Sequence, residues 1–139
     1  MMYTIEEFDV HKTKVFKYIM FKKRTENEVR NKFRTQIQEE MLEDIIEYLK
    51  EAGYINDYNF VEKQVSEYMN LKKMSIQEIK YKLLTKGIDK QIIEKYIESN
   101  IDELEEYEQK CANYIRNKKA GQMEEKEIEQ YLYKKGYKQ

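Results

Sequence analysis

Proline is absent from this 139-residue chain, and glycine occurs only four times. Sandwiches and barrels need a tight turn every eight to twelve residues or so, and those two residue types build most such turns. Their scarcity excludes an all-β fold. Tryptophan is missing, and histidine and cysteine occur once each. A single cysteine makes no internal disulfide, which fits a reducing compartment, and a single histidine makes no paired metal ligand. Also missing is any apolar run approaching the ~20 residues that a membrane helix needs. The acidic start, Met1-Met2-Tyr3-Thr4-Ile5-Glu6-Glu7, lacks the basic lead of a secretory signal. Together these absences predict a soluble cytoplasmic protein that does not enter a membrane.

The equipment of catalysis is lacking as well. The chain has no phosphate-cradling glycine loop, no nucleophile elbow and no cysteine pair. His11 lies in a charged stretch and reads as a surface residue. Cys111 stands three residues before Tyr114, as Val15 stands before Tyr18 and Val65 before Tyr68, so it reads as a small core residue. Acidic neighbours such as Glu39-Glu40 and Glu105-Glu106 are consecutive and do not share a helical face. The expectation is a non-enzyme with no catalytic residues, no metal, no cofactor and no small-molecule substrate.

What the chain does have is charge, at 38% of residues, and 13% aromatics. Its mean hydropathy of −0.97 would suit a disordered chain, but the aromatics and regularly spaced Ile, Leu, Val and Met argue for a packed core. The strongest signal is self-similarity. Tyr18-Ile19-Met20-Phe21-Lys22-Lys23-Arg24-Thr25-Glu26-Asn27-Glu28-Val29 recurs fifty residues later as Tyr68-Met69-Asn70-Leu71-Lys72-Lys73-Met74-Ser75-Ile76-Gln77-Glu78-Ile79. A third copy opens at Tyr114-Ile115-Arg116-Asn117-Lys118-Lys119 and takes about three extra residues through Ala120 and Gly121 before Glu127-Ile128. Leu83-Leu84-Thr85-Lys86-Gly87 likewise matches Leu132-Tyr133-Lys134-Lys135-Gly136.

Each unit reads as three helices. Thr25-x-x-Glu28 and Ser75-x-x-Glu78 are capping boxes, and Thr4-x-x-Glu7 opens the first helix in the same way. Val29 and Phe33, or Ile79 and Leu83, face inward on the short second helix. Met41, Leu42, Ile45, Ile46 and Leu49 form the stripe of a third helix, as do Ile92, Ile93, Tyr96 and Ile97 behind an Asp89 cap. Between units, Gly53 stops a helix, Tyr54 and Ile55 pin the turn, and Asp57 caps the next helix; Ser99-Asn100-Ile101-Asp102 forms the second junction. The predicted organisation is residues 1–55, residues 56–100 and a partial repeat of two helices over residues 101–139. The predicted fold is all-α, with tandem three-helix repeats stacked into an elongated curved array of about eight helices. Tyr18, Tyr68, Tyr96 and Tyr114 are expected to point inward, while Tyr58, Tyr81, Tyr107 and Tyr133 stay open between core and surface. An uncovered end at Ile128, Leu132 and Tyr137 is expected to pair with another chain.

Near-neutrality hides strong segregation of charge. Residues 12–34 hold nine Lys/Arg against two acids, and residues 38–58 hold seven acids against one lysine. A Lys-Lys pair precedes the second helix of every unit: Lys22-Lys23, Lys72-Lys73 and Lys118-Lys119. Stacked repeats would set these pairs in a row suited to a polyanion or a polymeric protein. With Arg24, Arg30, Lys32 and Arg34 they form the expected partner-binding set. Two other readings use the same features. In one, a helix such as residues 25–35 enters a DNA groove with Arg30, Lys32 and Arg34 on phosphates. In the other, the acidic helices make a scaffold for other proteins.

The motifs resemble those of the RecX family. Arg24-Thr25-x-x-Glu28-Val29 is similar to the family's Arg-Ser-x-x-Glu-Leu opening. Gly53-Tyr54-Ile55-Asn56-Asp57-x-x-Phe60 is similar to its Gly-Tyr-Leu-Asp-Asp-x-x-Phe junction, and Ser75-x-x-x-Ile79-x-x-x-Leu83-x-x-Lys86-Gly87-Ile88 to its second-unit signature. The resemblance spans roughly residues 14–137 and looks like a short form whose third repeat lacks its last helix. It implies tandem three-helix repeats that bind the RecA filament on single-stranded DNA. It also implies inhibition of recombinase, ATPase and coprotease activity, with effects on homologous recombination, DNA repair and the SOS response. DNA is expected to matter mainly through the filament, because so nearly neutral a chain gains little from counterion release.

Overall fold

The computed structural model describes residues 3–138, in which eight α-helices follow one another with no strand among the described residues. α1 (Ile5–Phe21), α2 (Glu26–Phe33) and α3 (Glu39–Glu51) form one three-helix repeat. α4 (Asp57–Leu71), α5 (Ile76–Thr85) and α6 (Lys90–Ser99) repeat it, and α7 (Ile101–Lys119) and α8 (Glu125–Lys134) follow. The all-α helical-repeat class expected from the sequence is the class observed.

The helix starts follow local chemistry. Thr25 Oγ1 accepts from the amide of Glu28 at 3.0 Å, and the Glu28 carboxylate accepts from the Thr25 amide at 3.2 Å. Ser75 and Glu78 repeat the exchange, with both bonds at 3.1 Å. Thr25 and Ser75 are fully buried, so these hydroxyls satisfy amides that water cannot reach. Thr4 caps α1, accepting from the Glu7 amide, and Asp89 caps α6, accepting from the Gln91 amide at 2.8 Å. α8 opens on a reciprocal Glu124–Glu127 pair that the sequence did not signal, because glutamate is not a favoured capping residue.

One junction assignment needs correction. Asp57 does not cap α4; Asn56 does, its Oδ1 accepting from the Asn59 amide at 3.0 Å. Asp57 instead reaches to α2 and accepts from the Glu26 amide at 2.9 Å. As the first residue of α4 it stands beyond the cap position, free to serve another helix. At the second junction Asn100 closes α6, donating to the Tyr96 carbonyl at 2.9 Å, and gives α7 no side-chain cap.

The chain forms two compact units: the described residues up to Phe60 together with Lys86–Ile88, and Val61–Thr85 together with the residues from Asp89 onward. In the first, α3 packs on α1 and α2, and its stripe (Met41, Leu42, Ile45, Ile46, Leu49) is buried against Val15, Ile19, Val29 and Phe33. Full burial of each Leu or Ile side chain contributes ~2 kcal/mol, enough to make α3 the anchor of the unit. Ile55 is buried as expected, but Tyr54 stays half-exposed, its ring meeting Phe16 edge-on at 4.9 Å. In the second unit α7 packs on α5, α6 and α8.

One close approach recurs in both units. A Cβ on Gly87 would fall 2.2 Å from Asn27 Nδ2, and one on Gly136 would fall 2.7 Å from Gln77 Cβ. Asn27 and Gln77 are fifty residues apart, each in the first turn of a second helix. Each glycine brings its backbone against that turn, in the left-handed conformation that ends its own helix.

Two further expectations fail. Ile128, Leu132 and Tyr137 are buried, so they are no uncovered end; α8 folds onto α7 and uses them in a cluster with Cys111 and Ala112. Tyr114 is 59% exposed. α7 continues five residues past it, whereas α1 and α4 continue three past Tyr18 and Tyr68. Tyr18, by contrast, is half-covered by Arg24 from the turn after α1 and by Phe33 of α2.

Candidate partner-binding surface

α1 ends on Phe21, and the chain leaves it extended through Lys22. Lys22 and Lys23 are exposed. Arg24 turns back: its guanidinium lies 4.1 Å over the Tyr18 ring and 3.9 Å from the Glu28 carboxylate. Arg30 is also engaged within its own unit. Its Nε and Nη2 grip Glu43 at 2.7 and 2.9 Å, and Nη2 reaches Glu26 at 3.1 Å. These carboxylates, Glu43 first, raise its pKa still further. Lys32 and Arg34 are exposed near the end of α2, with Lys32 Nζ 5.8 Å from the Tyr18 ring centroid.

The second pair sits on a more elaborate turn. Lys72 has φ 53°, an uncommon conformation for a residue with a Cβ. Three bonds hold it and its neighbours. The Cys111 thiol donates to the Lys72 carbonyl at 3.0 Å, and the Tyr107 hydroxyl donates to the Met74 carbonyl at 2.6 Å. The Ser75 hydroxyl donates to the Lys135 carbonyl at 2.6 Å. Cys111 is buried as expected, but its sulfur also lies 3.1 Å from the Tyr137 hydroxyl, so it anchors a polar network as well as filling space. Burial pushes the Tyr107 pKa up to about 12 and keeps its donating proton in place. Sequence reasoning missed this clamp because its partners lie 33, 39 and 60 residues apart.

Lys72 and Lys73 are exposed on that turn. Beside them is a cleft of about 430 Å³ whose lining includes Met69, Tyr107, Cys111 and Tyr114. In the third copy Lys118 is exposed, but Lys119 lies 4.4 Å over the Tyr131 ring and is half-covered. The first unit thus gathers Lys22, Lys23, Arg24, Arg30, Lys32 and Arg34 about α2 and the turn before it. The second carries Lys72, Lys73, Lys118 and Lys119. Among the described residues no group of three or more His, Cys, Asp or Glu side chains is placed to hold a metal ion, and no helix is long and apolar enough to cross a membrane.

Helical units recurring every fifty residues or so, with lysine pairs at matching turns, define a helical-repeat protein. No protein-family model matches the chain. It is 35% identical over 122 residues to the regulatory protein RecX of Clostridium beijerinckii, covering 82% of this chain and 56% of that one. It is 31% identical over 127 residues to the RecX of Caldanaerobacter subterraneus subsp. tengcongensis, covering 91% and 64%. The crystal structure of RecX from Lactobacillus salivarius superposes with a TM-score of 0.80 at 28% identity, over 97% of this chain and 91% of that one. The chain belongs to the RecX family of regulatory proteins. It spans about half to two thirds of the length of these two curated relatives.

Proposed function

We propose that this protein binds the RecA filament on single-stranded DNA and restrains its ATPase, coprotease and strand-exchange activities in the cytoplasm, limiting recombination and the SOS response. Family membership supports the regulatory role. The observation that carries the contact surface is the exposure of Lys22-Lys23 and Lys72-Lys73 at the same repeat position. Two equivalent basic turns on one chain suit a partner made of identical subunits, since tethered weak contacts reinforce one another through effective concentration. The mechanism is steric: bridging protomers, blocking extension or favouring disassembly, with no bond made or broken by this chain. Arg24 and Arg30 are engaged within their own unit by Tyr18, Glu28, Glu26 and Glu43, which leaves the exposed lysines as the contact groups. The engagement of Arg30 also weighs against α2 as a groove-reading helix.

The test is the ATPase rate of RecA on single-stranded DNA during titration with the full chain. Strong inhibition well below one molecule per RecA protomer is the expected result. An unchanged rate at excess protein, together with no detectable filament binding, would sink the reading.

A further inference from the structure

The two lysine pairs share a second feature that neither core nor helix caps explain. Phe21, the last residue of α1, is 87% exposed, and Leu71, the last residue of α4, is 54% exposed. They stand fifty residues apart, each immediately before a Lys-Lys pair. A large apolar side chain projecting into water does nothing for its own fold, and here it does so twice at one repeat position. The chain leading through Phe21 is basic: from Val10 to Lys23 there are five lysines and no acid. Met20 beside it is 60% exposed. The third copy supplies a contrast, with polar Asn117 at the corresponding place and Lys119 folded over Tyr131.

We infer that Phe21 and Leu71 are apolar anchors, each entering an apolar pocket bordered by carboxylates on a protein partner that presents the same pocket repeatedly. This deepens the proposed function and rests on it. The flanking ammonium groups select carboxylates at the pocket rim and exclude basic surfaces. Exchange of a ring for a branched aliphatic at one repeat position fits burial in a greasy pocket. It does not fit base stacking, for which Leu71 has no aromatic face. Single projecting side chains, rather than a continuous apolar helix face, also fit a pocket better than a lipid surface. The anchors supply the part of the affinity that salt does not screen, and the lysines steer approach.

The full chain, Phe21→Ser, Leu71→Ser and the double variant are titrated onto RecA filaments assembled on single-stranded DNA. Parallel arms use bare single-stranded DNA and phosphatidylglycerol vesicles. Each single variant is expected to weaken filament binding about tenfold and the double about a hundredfold. Circular dichroism and melting are expected to stay unchanged, because neither side chain is buried. Filament binding by the wild-type chain with the double variant within twofold of it overturns the anchors and leaves the filament reading standing. No filament binding by the wild-type chain overturns both. Loss of affinity on vesicles or bare DNA to match that on filaments reassigns the anchors to lipid or nucleic acid and overturns the protein pocket.

Discussion

Glu108 lies on α7 with only 6% of its surface exposed. Its carboxylate accepts the backbone amides of Lys138, at 3.2 Å, and of Ile76. Burial outweighs both bonds and holds its pKa above the usual glutamate value. A carboxyl with a folded-state pKa above its unfolded one is harder to ionise in the fold. The stability it favours is present at low pH and is lost as pH rises through the folded value. Glu108→Gln imitates the protonated acid. The melting temperature of the variant minus that of wild type is therefore expected to be most positive near pH 7 and to decline as pH falls through the carboxylate range. A difference that grows on acidification contradicts the assignment. Asp57, whose pKa burial also raises, performs the equivalent task for the Glu26 amide of α2. Neither role was legible one residue at a time: Glu108 looks like an ordinary helix-surface carboxylate and Asp57 like a cap of its own helix, and the amides they serve are 30 to 32 residues away.

At the scale of helices, ends that close on themselves were legible and ends that borrow were not. Thr25–Glu28 and Ser75–Glu78 could be read because both partners lie within one turn, where sequence spacing fixes geometry. The apolar stripe of α3 could be read for the same reason. Asp57 was assigned to the wrong helix because a helix-opening aspartate looks alike whichever amide it meets. Ser75 is local and distant at once, capping α5 and donating to the Lys135 carbonyl. Ser75→Ala should therefore cost about 2 kcal/mol, the upper end for a lost cap, since a polar group is also stranded. Thr4→Ala, at an exposed cap, should cost about 0.5–1 kcal/mol. Urea denaturation of the two variants checks the order; equal losses would mean that the Lys135 contact contributes nothing.

For the whole molecule, a net charge of −1 conceals exposed lysine pairs at two equivalent turns, while Arg24 and Arg30 are engaged by neighbouring side chains. Reversal of Lys22, Lys23, Lys72 and Lys73 to glutamate is expected to abolish filament binding while leaving the far-ultraviolet circular dichroism intact. Wild-type binding should weaken with added salt, as contacts between exposed charges do. Binding unchanged by the reversal removes the lysine pairs from the mechanism. The repeat order and helical class were legible because fifty-residue self-similarity survives substitution at single sites. Which basic residues face outward was not, because Glu43, the carboxylate that grips Arg30 most closely, belongs to α3, thirteen residues on.

The lending of caps also sets an order in time. During synthesis water serves the first amide of α2 until Asp57 follows, and the Ser75 hydroxyl that caps α5 meets its distant acceptor only once Lys135 has been made. At roughly 5–20 residues per second, the first wait is on the order of 2–6 seconds. Each second helix is thus completed from downstream, and the fold tightens behind the growing chain rather than ahead of it.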